Sequence, residues 1–146
     1  MNCMPVKTFV DTNVLIYAHD LGGGKRHELA RAAVEQLWQE GNGALSVQVL
    51  QEFYVNVRRK ARTPLTVEHS RRLVGNYLAW NPIVNDTAVL MSAIEIEERY
   101  KLSFWDSMIV AAAQKSSAEI LLSEDFNDGQ AFGQVLVSNP FAKQES

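Results

Sequence analysis

The feature that most constrains this chain is the stretch Lys7-Thr8-Phe9-Val10-Asp11-Thr12-Asn13-Val14-Leu15-Ile16-Tyr17. Phe9 and Val10 suit a β-strand, and Thr12 and Asn13 suit a helix N-cap. The residues from Val14 to Tyr17 then supply a buried helical turn. A strand that passes at once into a helix is the opening unit of an α/β chain. Asp11 falls at the carboxyl end of that strand, where open α/β sheets build their active sites. A carboxylate there can bind a metal, take a proton or attack; it can also serve only as a helix cap.

The remaining pattern repeats this alternation. Residues 25–40 read as a helix with Ala30, Ala33, Val34 and Leu37 at helical spacing, ended by Gly41-Asn42-Gly43. Ala44 and Leu45 form a short strand, and Ser46 caps a helix whose apolar face is Leu50, Phe53, Tyr54 and Val57. Residues 66–80 are helical, with Leu73, Tyr77 and Trp80 on one face. Asn81-Pro82 punctuates, and Ile83 and Val84 are expected as a strand. Asp86 or Thr87 caps a helix that runs to about Tyr100, with Leu90, Met91 and Ile94 inward. Residues 102–105 connect to a helix opened by Asp106 and running through Ala113. That helix is apolar nearly all round, hence buried. Strands at 120–122 and 135–137 flank a polar loop at 123–133. Short strands alternating with helices imply a three-layer α/β/α domain with a mostly parallel central sheet.

A length of 146 residues favours a single domain, 1–146, with a sizeable core. The 47% hydrophobic and 21% charged residues exclude a disordered chain. No run approaches the ~20 apolar residues of a membrane span, so no membrane association is expected. Residues 1–6 lack a basic region followed by an apolar one, so no secretory signal is expected. Cys3 is the only cysteine, which rules out an intramolecular disulfide and makes a reducing, cytoplasmic setting the default. The net charge of −3 does not announce a nucleic-acid partner, so any such partner must rest on local clusters.

Four acids stand out by placement. Asp11 ends the first strand, Glu52 lies in the helix after the second, Asp106 opens the buried helix, and Asp125 follows the strand at 120–122. In a parallel sheet the strand ends gather along one edge. Carboxylates crowded there repel one another unless neutralised, and hard divalent cations such as Mg²⁺ do this through oxygen ligands. Each acid also has an ordinary alternative. Glu52 lies opposite Leu50, Phe53 and Val57, where a solvated Glu is the default. Asp106 could complement its helix dipole, and Asp125 and Asp128 could be loop residues.

Four segments resemble the motifs of PIN-domain nucleases: Val10-Asp11-Thr12-Asn13-Val14-Leu15, Ser46-Val47-Gln48-Val49-Leu50-Gln51-Glu52-Phe53, Phe104-Trp105-Asp106-Ser107 and Leu121-Leu122-Ser123-Glu124-Asp125. Within that group the chain is most similar to VapC-type ribonuclease toxins of bacterial toxin–antitoxin pairs. The resemblance covers nearly the whole chain. It implies an α/β/α fold, metal-dependent cleavage of RNA phosphodiester bonds, a homodimer, and a small antitoxin that blocks the acidic site. It carries the family's acids onto Asp11, Glu52, Asp106 and Asp125, with Asp128 as the alternative fourth. Thr12 or Asn13 would be the polar neighbour of the first acid, and Ser123 could join the metal shell. Mg²⁺, with Mn²⁺ as substitute, would be the cofactor. Carboxylate-held ions activate water, polarise a phosphate and stabilise a leaving oxygen, so no protein nucleophile is required.

Other features are less specific. Arg58, Arg59, Lys60 and Arg62 are a candidate RNA phosphate track, a site for an acidic antitoxin segment, or a solvated face. His19, His27 and His69 are scattered in sequence and are expected to be surface or packing residues. Gly22-Gly23-Gly24-Lys25 lacks the full phosphate-loop pattern and reads as a flexible connector. Two other classes of function compete. One is a catalytically inactive PIN-like module that binds RNA or acts as a scaffold. The other is an aspartyl-phosphate enzyme, which Asp11-Thr12-Asn13 matches poorly because it lacks the Asp-x-Asp pair.

Overall fold

The computed structural model describes residues 6–142. Cys3 and the rest of residues 1–5, on which the expected absence of a disulfide and a secretory signal bears, lie outside them. In chain order the elements are β1 (Thr8–Val10), α1 (Thr12–His19), α2 (Gly24–Glu40), β2 (Gly43–Ala44), α3 (Val47–Val57), α4 (Val67–Tyr77), a 3-10 turn (Leu78–Trp80), α5 (Thr87–Tyr100), α6 (Phe104–Lys115), β3 (Ile120–Leu122), β4 (Ala131–Phe132) and β5 (Val135–Ser138).

The five strands form one sheet in the order β2-β1-β3-β5-β4. Every pairing is parallel except that of β4 with β5. Parallel neighbours need crossover helices, and such crossovers are right-handed. From β1 the chain moves to β2 on one side. It then returns past β1 to β3 on the other. The reversal puts the α1–α2 pair and the α5–α6 pair on opposite faces, giving the three-layer α/β/α arrangement. α1 packs against both α2 and α3, and α5 against α6. The reversal also leaves a crevice beyond the carboxyl ends of β1 and β3, where doubly wound sheets bind ligands.

The inner strands are mostly apolar, and their core residues are fully enclosed. Phe9, Val10 and Leu121 have no exposure, and Val137 almost none. α6 is buried from Ser107 to Ala113, as its apolar character requires. Ser46 caps α3 through its hydroxyl, which accepts from the Val49 amide.

Several local expectations are corrected. Residues 83–84 form no strand: Ile83 makes a single parallel bridge to Ser46, and Val84 is exposed. The Ile83 amide and carbonyl bond to Leu45 and Val47, which lie on either side of Ser46, and the chain then turns into the Asp86 cap. The loop at 123–133 instead contributes β4, an antiparallel edge strand. In α5 the inward residues are Val89, Ala93 and Ile96, while Leu90, Met91 and Ile94 face outward. The two apolar stripes are offset by one residue, and the smaller Ala93 faces inward against the alanine-rich α6. Residues 104–105 belong to α6, which is capped by Ser103 rather than opened by Asp106. α4 ends at Tyr77, and the last turn tightens to 3-10. The cap of α1 is Asp11, not Thr12 or Asn13. Among the described residues no helix is long and apolar enough to cross a membrane.

Candidate active site

Asp11 leaves β1 with its amide bonded to the Leu122 carbonyl, and its own carbonyl accepts the first helical bond from Leu15. The side chain is almost fully buried. One carboxylate oxygen accepts the Thr12 amide at 2.7 Å, and the other accepts the Ser123 hydroxyl at 2.7 Å. Burial dominates and pushes Asp11 from 3.8 up to about 7. The Ser123 and Thr12 bonds oppose that rise, and the charges of Asp125 and Glu52 add to it. The cap and site alternatives are therefore not exclusive: one side chain starts the helix and carries the strained charge.

Ser123 links this acid to the next strand end. Fully buried, it donates to Asp11 and accepts the Asp125 amide at 3.0 Å. Asp125 is exposed and accepts a bond from the Asn13 amide group at 2.7 Å. Its pKa is raised by partial burial first, then by Asp106 and Glu124, against the Asn13 bond. Glu52 is half-buried, not solvated. Gln48, one turn earlier in α3, donates to it at 3.0 Å. Burial raises the Glu52 pKa, Gln48 opposes, and the charges of Asp106 and Asp125 raise it further. Asp106 is half-buried in the first turn of α6, its amide held by the Ser103 hydroxyl.

The fold thus brings Glu52, Asp106 and Asp125 within electrostatic reach of one another, and Asp11 within reach of Glu52 and Asp125. Asp128 is engaged elsewhere, accepting the Asn139 amide at 2.8 Å. Thr12 is buried, and its hydroxyl has no partner. The oxygen-only donor set suits a hard cation such as Mg²⁺ or Mn²⁺. An unpaired buried hydroxyl beside crowded carboxylates also fits a site completed by an ion and its waters. Among the described residues, however, no three acidic, His or Cys side chains stand close enough to grip an ion as they are placed. Coordination would require the exposed and half-buried acids to swing inward.

Beside the acids lies an open cleft of about 710 Å³, lined by Asn13, Asp20, Arg26, Lys60, Arg62 and Glu124 among others. The basic run is thereby divided. Lys60 and Arg62 line the cleft, Arg59 points to solvent, and Arg58 stacks 4.7 Å from the Tyr54 ring. Asp20 sets this geometry. Buried, it accepts the amides of Gly22, Arg62 and Thr63 at 3.2, 2.8 and 3.0 Å. Burial raises its pKa, but these bonds outweigh it, and the net shift is downward. The glycine run is accordingly more than a connector. A Cβ on Gly22 would lie 2.7 Å from the Thr63 hydroxyl and 2.8 Å from the Arg62 Cβ.

The three histidines, distant in sequence, line one groove of about 480 Å³ with Trp38 and Tyr77. His19 bonds the Tyr77 hydroxyl at 2.7 Å and His27 the Tyr17 carbonyl at 2.8 Å, which are packing roles. Burial lowers His19 to about 4, with help from His69 and His27. Sequence reasoning missed Gln48, Asp20, Arg26 and Glu124. Only Gln48 left a signal, one helical turn before Glu52 on the same face.

The PIN domain model matches residues 8–128, which spans every element bearing the four acids. This chain belongs to the PIN domain family. Among curated proteins none matches. Two solved structures share the PIN fold seen here. A toxin–antitoxin complex from Klebsiella pneumoniae is 23% identical, with a TM-score of 0.61 over 92% of this chain and 98% of that one. VapBC2 from Rickettsia felis, bound to a DNA fragment from its promoter, is 18% identical, with a TM-score of 0.59 over 90% and 97%.

Proposed function

We propose that this PIN domain is a Mg²⁺-dependent endoribonuclease and the toxin of a VapC-type toxin–antitoxin pair. PIN domains are generally nucleases. The observation that carries the proposal is the gathering of four acids at the carboxyl edge of the sheet, where Asp11 feels Glu52 and Asp125, and those two also feel Asp106. Like charges held together with no cation between them are costly, and such clusters mark functional sites.

Asp11, Glu52, Asp106 and Asp125 would hold Mg²⁺ or Mn²⁺, which when bound supplies water activation, phosphate polarisation and leaving-group stabilisation. Ser123 keeps Asp11 and Asp125 in register, Asn13 holds Asp125, and Gln48 holds Glu52. Lys60 and Arg62 face the cleft beside these acids and supply cations for the RNA backbone. Under this proposal the chain is one cytoplasmic domain that binds a cognate antitoxin and forms a homodimer. The outward Leu90, Met91 and Ile94 on α5 offer an apolar surface for self-association. The two structurally similar proteins, both toxin–antitoxin assemblies, support the partner assignment.

Protein free of antitoxin should cut a structured RNA with Mg²⁺ or Mn²⁺ and fail with EDTA. Equal cleavage by Asp106→Asn would overturn the site assignment. One observation favours a second proposal, an inactive module that binds RNA or acts as a scaffold: the acids are too open to grip an ion as placed. RNA binding with no cleavage under any divalent ion would select it.

A further inference from the structure

The cleft beside the acids carries a third cation that the basic run does not include. Arg26, in the first turn of α2, forms an ion pair with Glu124, whose chain neighbour is Asp125. The pair is only partly exposed, at 32% and 21%. The guanidinium also lies 4.7 Å from the Phe141 ring centroid and 5.5 Å from that of Tyr17. Two aromatic rings and a carboxylate therefore pre-orient it at the wall of the cleft, where Lys60 and Arg62 also lie. Asp20 holds the Lys60–Arg62 side of that wall in place through the Arg62 and Thr63 amides.

Resting on the ribonuclease proposal, we propose that Arg26 binds a backbone phosphate of single-stranded RNA next to the scissile bond, and that Glu124 competes with that phosphate for it. A planar guanidinium matches phosphate as well as carboxylate, with paired N–H donors. Stacking on Tyr17 and Phe141 limits the freedom Arg26 must lose on binding. Glu124 lowers the positive charge offered to polyanions, so the cleft favours a strand that also engages the acidic centre. The structure thus divides the cations by role: Arg26, Lys60 and Arg62 line the strand's path, while Arg58 and Arg59 lie outside it. Single strands fit because their backbone can bend into a cleft and past an acidic edge, which a duplex cannot do without unpairing.

The test uses the full chain and a labelled single-stranded oligoribonucleotide, with binding measured by anisotropy in EDTA across a KCl series. Glu124→Gln should bind about three- to tenfold more tightly. Arg26→Gln should bind more weakly, with a log–log salt slope shallower by about 0.7, one single-strand phosphate. In the double variant the Glu124→Gln gain should vanish, which separates competition for Arg26 from a general loss of negative charge. An equal gain with and without Arg26 would overturn the inference, as would unchanged binding in both single variants. Should Arg26→Gln melt before the assay temperature, Arg26→Lys replaces it: the charge stays, the paired geometry goes, and binding should still weaken. Cleavage with Mg²⁺, run in parallel, distinguishes the two levels. Cleavage with unaltered variant affinities sinks this inference alone; a wild type that neither binds nor cuts RNA sinks the ribonuclease proposal with it.

Discussion

Replacing Asp11 with Asn is the most direct probe of the acidic site, because it needs no substrate. Folding takes Asp11 from 3.8 to about 7. At ~1.4 kcal/mol per pH unit, holding it ionised costs at most about 4 kcal/mol. The sign follows from proton binding. A folded-state pKa above the unfolded one means that the folded chain binds more protons between pH 4 and pH 7. Stability from this group is then full below pH 4 and lost as pH rises to 7. Asparagine removes that loss but mismatches one bond, since its amide faces the Ser123 hydroxyl, at a cost of about 1–2 kcal/mol. The net gain at pH 7 and above is about 1–3 kcal/mol, or roughly 3–10 °C in melting temperature for a chain of this size. Melts of both proteins in EDTA, from pH 4 to pH 8, should place the variant below the wild type by the cost of that mismatched bond at the acid end, and above it at pH 7 and higher. Millimolar Mg²⁺ should then raise the wild type more than the variant, since it binds only the folded state. Coincident melts at every pH, with no response to Mg²⁺ in either protein, would show that Asp11 is merely a cap and that the acids do not converge.

Asp20 should behave oppositely: its lowered pKa means stability present above about pH 4 and lost on acidification, and Asp20→Ala should cost about 2–4 kcal/mol at pH 7, read by urea melts. Gly43→Ala should destabilise by about 1–3 kcal/mol, because its Cβ would stand 2.5 Å from the Trp80 indole, and thermal melts check it. Replacing Lys60 and Arg62 together with Ala should weaken RNA binding about uniformly across sequences and flatten its salt dependence, whereas Arg58→Ala with Arg59→Ala should leave the slope nearly unchanged. Sedimentation at micromolar concentration should show a dimer in the wild type and a monomer in Met91→Glu, which places a charge on the outward face of α5.

The sequence by itself determined the class of fold and the candidates for the site. Apolar runs too short to be helices, alternating with 3.6-residue periods, admit few solutions other than a parallel sheet between helices. Acids placed around strand ends of such a sheet must approach one edge. These are local and periodic signals, and they survive without knowledge of what packs where. Tertiary structure decided the rest. Which stripe of α5 faced inward was decided by its packing on α6, since two apolar stripes one residue apart have the same period. Whether residues 83–84 or 131–132 joined the sheet depended on which backbone groups found partners. Whether Glu52 was solvated depended on what packed around α3, which its helical face alone does not reveal. The roles of Asp20, Arg26 and Glu124 were invisible in sequence for the same reason. Each acts through a partner at least 42 residues away, and only the folded chain brings those charges into one cleft.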